Sequence, residues 1–205
     1  MKAFLLLGMV LVFGIVLAGC KEEGQPVNPA AEAPLVEPAL LYNRADYPEE
    51  IVITEHGLIG YWENTPFSAD TLKAAFPDFD IIAATDGSEG QSWDVFHVTK
   101  GNIKFVQVDS DFLGNVGKVS TSSPLVGIDT GHKVGMTFTA IFPDFSNPVC
   151  YPGLEELSGM VLCEAPDRTQ IYYIFAGTWD GPDGRIPPPE VMATWAIDSI
   201  FWTSR

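Results

Sequence analysis

The chain has 205 residues, of which 46% are hydrophobic and 19% charged, with Lys+Arg 11 against Asp+Glu 27 and a formal net charge of -16. This length holds one domain of ordinary size plus appendages, and the apolar fraction excludes wholesale disorder. The charge argues against nucleic-acid binding and against electrostatic docking on anionic lipid, because both need clustered Lys and Arg.

Met1-Lys2 is a short basic start, and residues 3–18 are almost wholly apolar, interrupted only by Gly8 and Gly14. The run has the length of a secretory h-region and is short for a free transmembrane helix. Leu17-Ala18-Gly19-Cys20 then resembles a bacterial lipobox, which is read by enzymes that diacylate the thiol, cut before the cysteine and acylate the new amine. Residues 1–19 are thus the expected signal peptide and Cys20 the expected lipidation site, with a signal anchor carrying an incidental cysteine as the alternative. Each buried methylene adds roughly 0.8 kcal/mol of membrane affinity, so several acyl chains hold where one does not. Cleavage would remove Lys2 and leave 10 basic against 27 acidic residues. In lipoproteins of this kind an Asp after the cysteine favours inner-membrane retention. Lys21 stands here, so the resemblance implies an outer-membrane anchor on the periplasmic face.

Residues 20–49 read as a tether: Pro26, Pro29, Pro34, Pro38 and Pro48 break helices and central strands, and glutamates sit among alanines. Such a stretch stays extended and solvated, although residues 40–42 have the apolar character to pack on the domain. Residues 50–205 are expected to form one globular domain.

Phe76-Pro77-Asp78-Phe79 recurs as Phe142-Pro143-Asp144-Phe145, 66 residues later. The same offset carries Thr71 to Thr137, Ala74 to Ala140, Val95-Phe96 to Val161-Leu162 and Val108 to Ile174. This predicts two copies of one supersecondary unit, about 57–121 and 122–205. In the first copy Ser68 is a plausible N-cap, Asp70 lies in the first turn, Phe67 and Leu72 occupy the hydrophobic-staple positions, and Pro77 ends the helix. Strands are expected at 80–85, 93–99 and 103–109, with turns at 87–91 and 100–102. A strand at 117–121 follows between the copies. The second copy predicts a helix at 137–142 and strands near 147–151, 159–164 and 169–179. The end of the chain adds a tight loop at 177–184, a short helix over 190–195 started by the preceding prolines, and a closing strand at 197–202. The expected fold is β-rich α+β: antiparallel sheets built from two tandem helix–β-meander repeats, sandwich-like, with short helices.

With Cys20 assigned to the lipobox, Cys150 and Cys163 remain as an even pair in a compartment that permits disulfides. The alternative is two buried free thiols. No G-x-S-x-G elbow and no H-E-x-x-H occurs in the sequence, and neither a cofactor nor a metal site is expected. His97 lies in a predicted strand, as a packed or hydrogen-bonded residue. His132 lies in a Gly-rich turn and is expected to be solvated, as are Asp109, Asp111, Asp180 and Asp183. Trp179, Trp195 and Trp202 are expected in the core.

The lipobox, Gly131 followed by Lys133-Val134-Gly135, the Cys150 and Cys163 pair, and Phe175-x-Gly177-x-Trp179-x-Gly181-Pro182-x-Gly184 followed by Trp195 and Ile200-Phe201-Trp202 together resemble the sigma-E-regulated bacterial lipoprotein family of unknown function. The resemblance spans roughly residues 55–205 and implies a periplasm-facing, outer-membrane-anchored domain with a role in envelope homeostasis. It brings no catalytic residues. The expected activity is therefore non-enzymatic: a protein-interaction module with an envelope partner, for which Trp179, Asp180, Gly181, Pro182, Asp183 and Gly184 form a possible interaction loop. An inhibitor of a secreted hydrolase such as lysozyme is the alternative. An enzyme acting on envelope polymers is the third reading.

Overall fold

The computed structural model describes residues 51–204 apart from 59, 60, 63, 146 and 147, and for Tyr61 and Trp62 the backbone only. The leader, Cys20 and the tether lie outside the described residues.

Helix α1 (Ala69–Ala75) begins at Ser68, whose Oγ accepts the Thr71 amide at 3.2 Å, and Asp70 lies in the first turn. Both features satisfy or complement the orphan donors of a helix start. The helix ends at Phe76, held out of helical geometry before Pro77 (φ -124°, ψ 65°). Helix α2 (Phe138–Ile141) ends at Phe142 with φ -119° and ψ 74°. In each case the C-cap amide donates back to the first apolar turn, Phe76 to Leu72 and Phe142 to Phe138, both at 2.8 Å. The two Phe-Pro-Asp-Phe segments thus stop their helices in one way. They differ afterwards, since Asp144 and Phe145 take positive φ and Asp78 and Phe79 do not.

Strands β4 (Asp80–Ser88), β5 (Gln91–Lys100), β6 (Ile103–Ser110) and β7 (Val116–Thr121) follow α1, and β9 (Cys150–Pro152), β10 (Val161–Glu164), β11 (Ile171–Ala176) and β12 (Ala196–Thr203) follow α2. They form one antiparallel eight-stranded sheet in the order β4-β5-β6-β7-β12-β11-β10-β9. Each half is a meander, and the halves meet in mirror order at the β7–β12 pair. A second, four-stranded sheet was not legible in the sequence: β1 (Val52–Thr54), β2 (Gly57–Leu58), β3 (Tyr61–Trp62) and β8 (Gly127–Ile128), in the order β3-β2-β1-β8. Its β1–β8 pair is parallel, the exception to the antiparallel expectation. Thr54 closes the β1–β2 turn by donating Oγ1 to the Gly57 carbonyl at 2.9 Å.

Several boundaries differ from the sequence reading. The third strand of the second half stops at Ala176 rather than 179. There Gly177 packs on the Trp195 indole so tightly that a Cβ would lie 2.1 Å from Nε1. The first strand of that half runs Cys150–Pro152, and the late helix is only α3 (Pro189–Met192), closed by the Trp195 amide bonding to the Met192 carbonyl.

One face of the large sheet makes the core. Val98, Val106, Val108, Val119, Ile200, Trp202, Ile171, Tyr173, Phe175 and Cys163 point to it and are buried with Leu72, Phe138, Met192 and the small-sheet residues Ile53 and Leu58. Trp202 is fully buried and donates Nε1 to the Glu55 carbonyl at 2.9 Å, fastening the small sheet to the centre of the large one. The layer over the core is thus composite, short helices plus a small sheet, rather than a second sheet of equal size. Cys150 and Cys163 are register partners and form a disulfide that ties edge strand β9 to β10.

Candidate functional site

Strand alternation sends the other set of side chains to the opposite face of the large sheet. In register across the strands these include Asp86 on β4, Trp93, Val95 and His97 on β5, Gln107 and Asp109 on β6, Lys118 and Ser120 on β7, Phe201 on β12, Tyr172 and Ile174 on β11, Glu164 on β10 and Tyr151 on β9. No described helix or strand covers this face.

The face is concave. Asp86 on the first strand of the sheet and Ile174 on the sixth line one cavity of about 240 Å³. In a flat sheet five strand spacings would put them about 24 Å apart. Ser88, at the end of β4, also donates to Glu156 in the β9–β10 connection, so material from the two edges of the sheet touches. Curling explains why Val95, Asp109 and Ile174 are buried on a face that carries no second layer.

Two networks line this hollow. On the first-half strands Gln107 donates Nε2 to Asp86 at 2.7 Å and lies 3.2 Å from His97 through Oε1, while Trp93 donates Nε1 to Asp109 at 3.0 Å. The Gln107 amide, the Gly87 N–H and, less strongly, Lys118 and Lys104 hold the Asp86 carboxyl below its usual range. On the second-half strands Tyr172 stacks on Phe201 at 5.1 Å, Lys118 lies over the Phe201 ring at 5.4 Å, and Tyr151 donates to Glu164 at 3.1 Å. That hydrogen bond, which only the protonated phenol can donate, and the charge of Glu164 raise the Tyr151 pKa. The titratable groups are thus tied to amides, rings and one another. His97 meets Gln107 rather than a nucleophile.

At one end of the hollow stands the β6–β7 turn. Asp111 accepts the Leu113 and Asn115 amides through Oδ1, both at 2.8 Å, and Gly114 supplies the positive φ of 81°. A strap from Thr65 to Phe67 bonds the turn from the side, with the Phe67 amide on the Gly114 carbonyl and the Val116 amide on the Thr65 carbonyl. This fixed turn presents Phe112, 95% exposed, and Leu113, 70% exposed. The expectation that Asp109 is solvated is corrected here: Trp93 draws its carboxylate into the sheet. His132 is also corrected. It is half-buried, its Nδ1 lies 2.8 Å from the Tyr173 hydroxyl, and burial lowers its pKa.

The loop from Trp179 to Gly184 lies elsewhere, against the β9–β10 connection. Asp183 accepts from Ser158 at 2.8 Å, and Asp180 is exposed. Gly181 lies on the Trp179 indole, where a Cβ would come 2.0 Å from Cζ2. Gly177 and Gly181 therefore make room for tryptophan rings, whereas Gly184 supplies a positive φ of 67°. Trp195 and Trp202 are buried as expected, and Trp179 packs partly buried against the core. Among the described residues no group of three or more His, Cys, Asp or Glu is placed to hold a metal ion. No helix among them is long and apolar enough to cross a membrane.

Sequence reasoning had no signal for the hollow, because the residues that build it are spread over eight strands. In the sequence Phe112-Leu113 shows only as an apolar pair beside Gly114.

The uncharacterized protein YfeY of Escherichia coli (strain K12) is 24% identical over 152 residues, covering 73% of this chain and 78% of that protein. A crystal structure of the uncharacterized protein yfeY from Escherichia coli matches with a TM-score of 0.61 and 23% identity, covering 75% of this chain and 99% of that one, a likeness of fold. The match that defines its relations runs over residues 41–204, and by it the chain belongs to the family described as protein of unknown function (DUF1131).

Proposed function

We propose that the protein is a bacterial envelope lipoprotein whose domain works as a non-catalytic protein-interaction module through the concave sheet face. The observation that carries the reading is the concave face itself: a wide hollow lined by aromatic rings and paired polar groups, with a fixed apolar turn at one end. Interfaces favour this mixture of rigid aromatics and satisfied polar groups. The mirror order of the halves supports an origin by duplication of one helix–meander unit, which accounts for the sheet's width. The lipobox ending at Cys20 supports acylation and outer-membrane anchoring on the periplasmic face, and the Cys150–Cys163 bridge accords with an oxidising compartment. The resemblance of the C-terminal motif supports a place in the sigma-E envelope-stress response. The test is photocrosslinking in intact cells from Tyr172 and Phe201, with Glu190 on α3 as the control position. One envelope protein captured from the two concave positions and not from the control is expected. Equal capture from all three, or none, refutes the reading. Cys20→Ala should release the protein from membranes.

A second reading, inhibition of a secreted hydrolase such as lysozyme, is favoured by the exposed Phe112-Leu113 turn on a strongly acidic molecule, which would steer a basic enzyme inward. Unchanged lysozyme rates at micromolar excess of the protein would remove it.

A further inference from the structure

This inference rests on the interaction-module reading and names the chemistry of the partner. Asp109 is only 7% exposed. Its Oδ1 accepts from Trp93, but its Oδ2 is buried without a hydrogen-bond partner among the described residues. A carboxylate oxygen removed from water without a donor is costly and therefore unusual. Lys118, its cross-strand neighbour, holds its ammonium over the Phe201 ring instead, and among the described residues Asp109 takes part in no salt bridge. Asp109 opens into a cavity of about 570 Å³ that Trp93, Phe112, Leu113 and Lys118 also line. Trp93 is 40% exposed there.

We propose that this cavity receives an arginine side chain of a basic protein partner. The Asp109 carboxylate turns to bring Oδ2 from its buried position to the cavity and accepts from the guanidinium there, the guanidinium plane lies on the Trp93 indole, and the methylene stem runs along Phe112 and Leu113. Arginine fits better than lysine because one planar group serves a carboxylate and an aromatic face together. The net charge of -16 favours a basic partner over any other. Lys118 opposes the incoming charge, so the site has a built-in control: removing that ammonium should strengthen binding.

The test uses acetyl-Arg-Arg-Arg-amide and its neutral citrulline counterpart. Each is titrated into the full chain in detergent micelles while the Trp93 indole N–H is followed by NMR, the signal being assigned by its loss in Trp93→Phe. A saturable shift is expected with the arginine peptide. Binding should weaken about tenfold or more with citrulline and likewise in Asp109→Asn, and should tighten in Lys118→Gln. Equal binding of the two peptides overturns the proposal, and so do an unchanged affinity in Asp109→Asn or shifts that bypass Trp93. The citrulline arm uses the unsubstituted protein, so the outcome stands even where Asp109→Asn fails to fold. Capture of one envelope protein from Tyr172 and Phe201 together with equal binding of the two peptides would leave the interaction module standing and remove this site.

Discussion

The Cys150–Cys163 bridge offers the cleanest quantitative test of the fold. The two residues are register partners on β9 and β10 and are 13 apart in sequence. Closing a loop of about 14 residues in the unfolded chain is worth about 3 kcal/mol in the chain-entropy account. For a domain of roughly 150 residues that corresponds to a fall in Tm of about 6–12 °C. The assay is thermal unfolding followed by tryptophan fluorescence on the unsubstituted protein and on C150A/C163A, each with and without reductant. Reductant should lower the Tm of the unsubstituted protein by the stated amount and leave the double variant unmoved. The double variant should melt slightly below the reduced protein, because Cys163 is fully buried and its truncation also removes core contacts. Loss should begin locally: β9 has only three residues and lies at the sheet edge, so the amides paired across β9 and β10 should exchange first. Should reductant free both thiols, as counted by titration, yet shift the Tm by no more than a degree or two, the bridge would not constrain the chain and the argument from loop closure would fail.

Three further outcomes follow from the geometry. Leu72→Ala, which truncates a fully buried side chain at the staple position of α1, should lower unfolding free energy by about 2–4 kcal/mol in a urea titration with little change in m. Gly181→Ala places a methyl 2.0 Å from the Trp179 ring, so the indole must move; a loss of about 1–3 kcal/mol and a red shift of tryptophan emission are expected. His132 has its pKa lowered from 6.5 by burial, so the unfolded chain binds the extra proton more readily than the folded one. Its contribution is fully present above pH 6.5 and declines as the pH falls from there toward the lowered folded value. Comparing Tm between pH 7.5 and pH 5 for the unsubstituted protein and His132→Gln should show the smaller fall in the variant.

What could be read in the sequence was what depends on neighbours along the chain. Ser68, Asp70, Leu72 and Pro77 fix α1 within ten residues, and the strands after it appear as alternating or β-branched runs between turns. The recurring Phe-Pro-Asp-Phe segment marked two helices that end alike. What depended on distant partners stayed hidden. Strands of two or three residues such as β1 and β8 carry too little pattern to announce themselves, and their parallel pairing joins residues about 75 positions apart in the chain. Asp109 in Asp-Ser-Asp reads as a solvated turn, and the Trp93 indole on the neighbouring strand, with the Gln107 amide, holds it inward. The curl of the large sheet, which creates the candidate site, is a property of eight strands together.

The residues that carry the strongest motif and those that carry the functional argument are therefore different sets, and physics separates them. Gly177 and Gly181 are required because tryptophan rings occupy the space a side chain would need, which explains the Gly-x-Trp-x-Gly pattern through packing alone. Phe112, Leu113 and the free oxygen of Asp109 have no such explanation. An apolar pair held out into water by two amide bonds to Asp111, beside a buried carboxylate oxygen without a donor, works against the stability of the isolated molecule. Features that break local rules without a compensating contact point to an interaction made outside the chain. Here they sit together at one end of the same hollow, where a single basic partner would satisfy both.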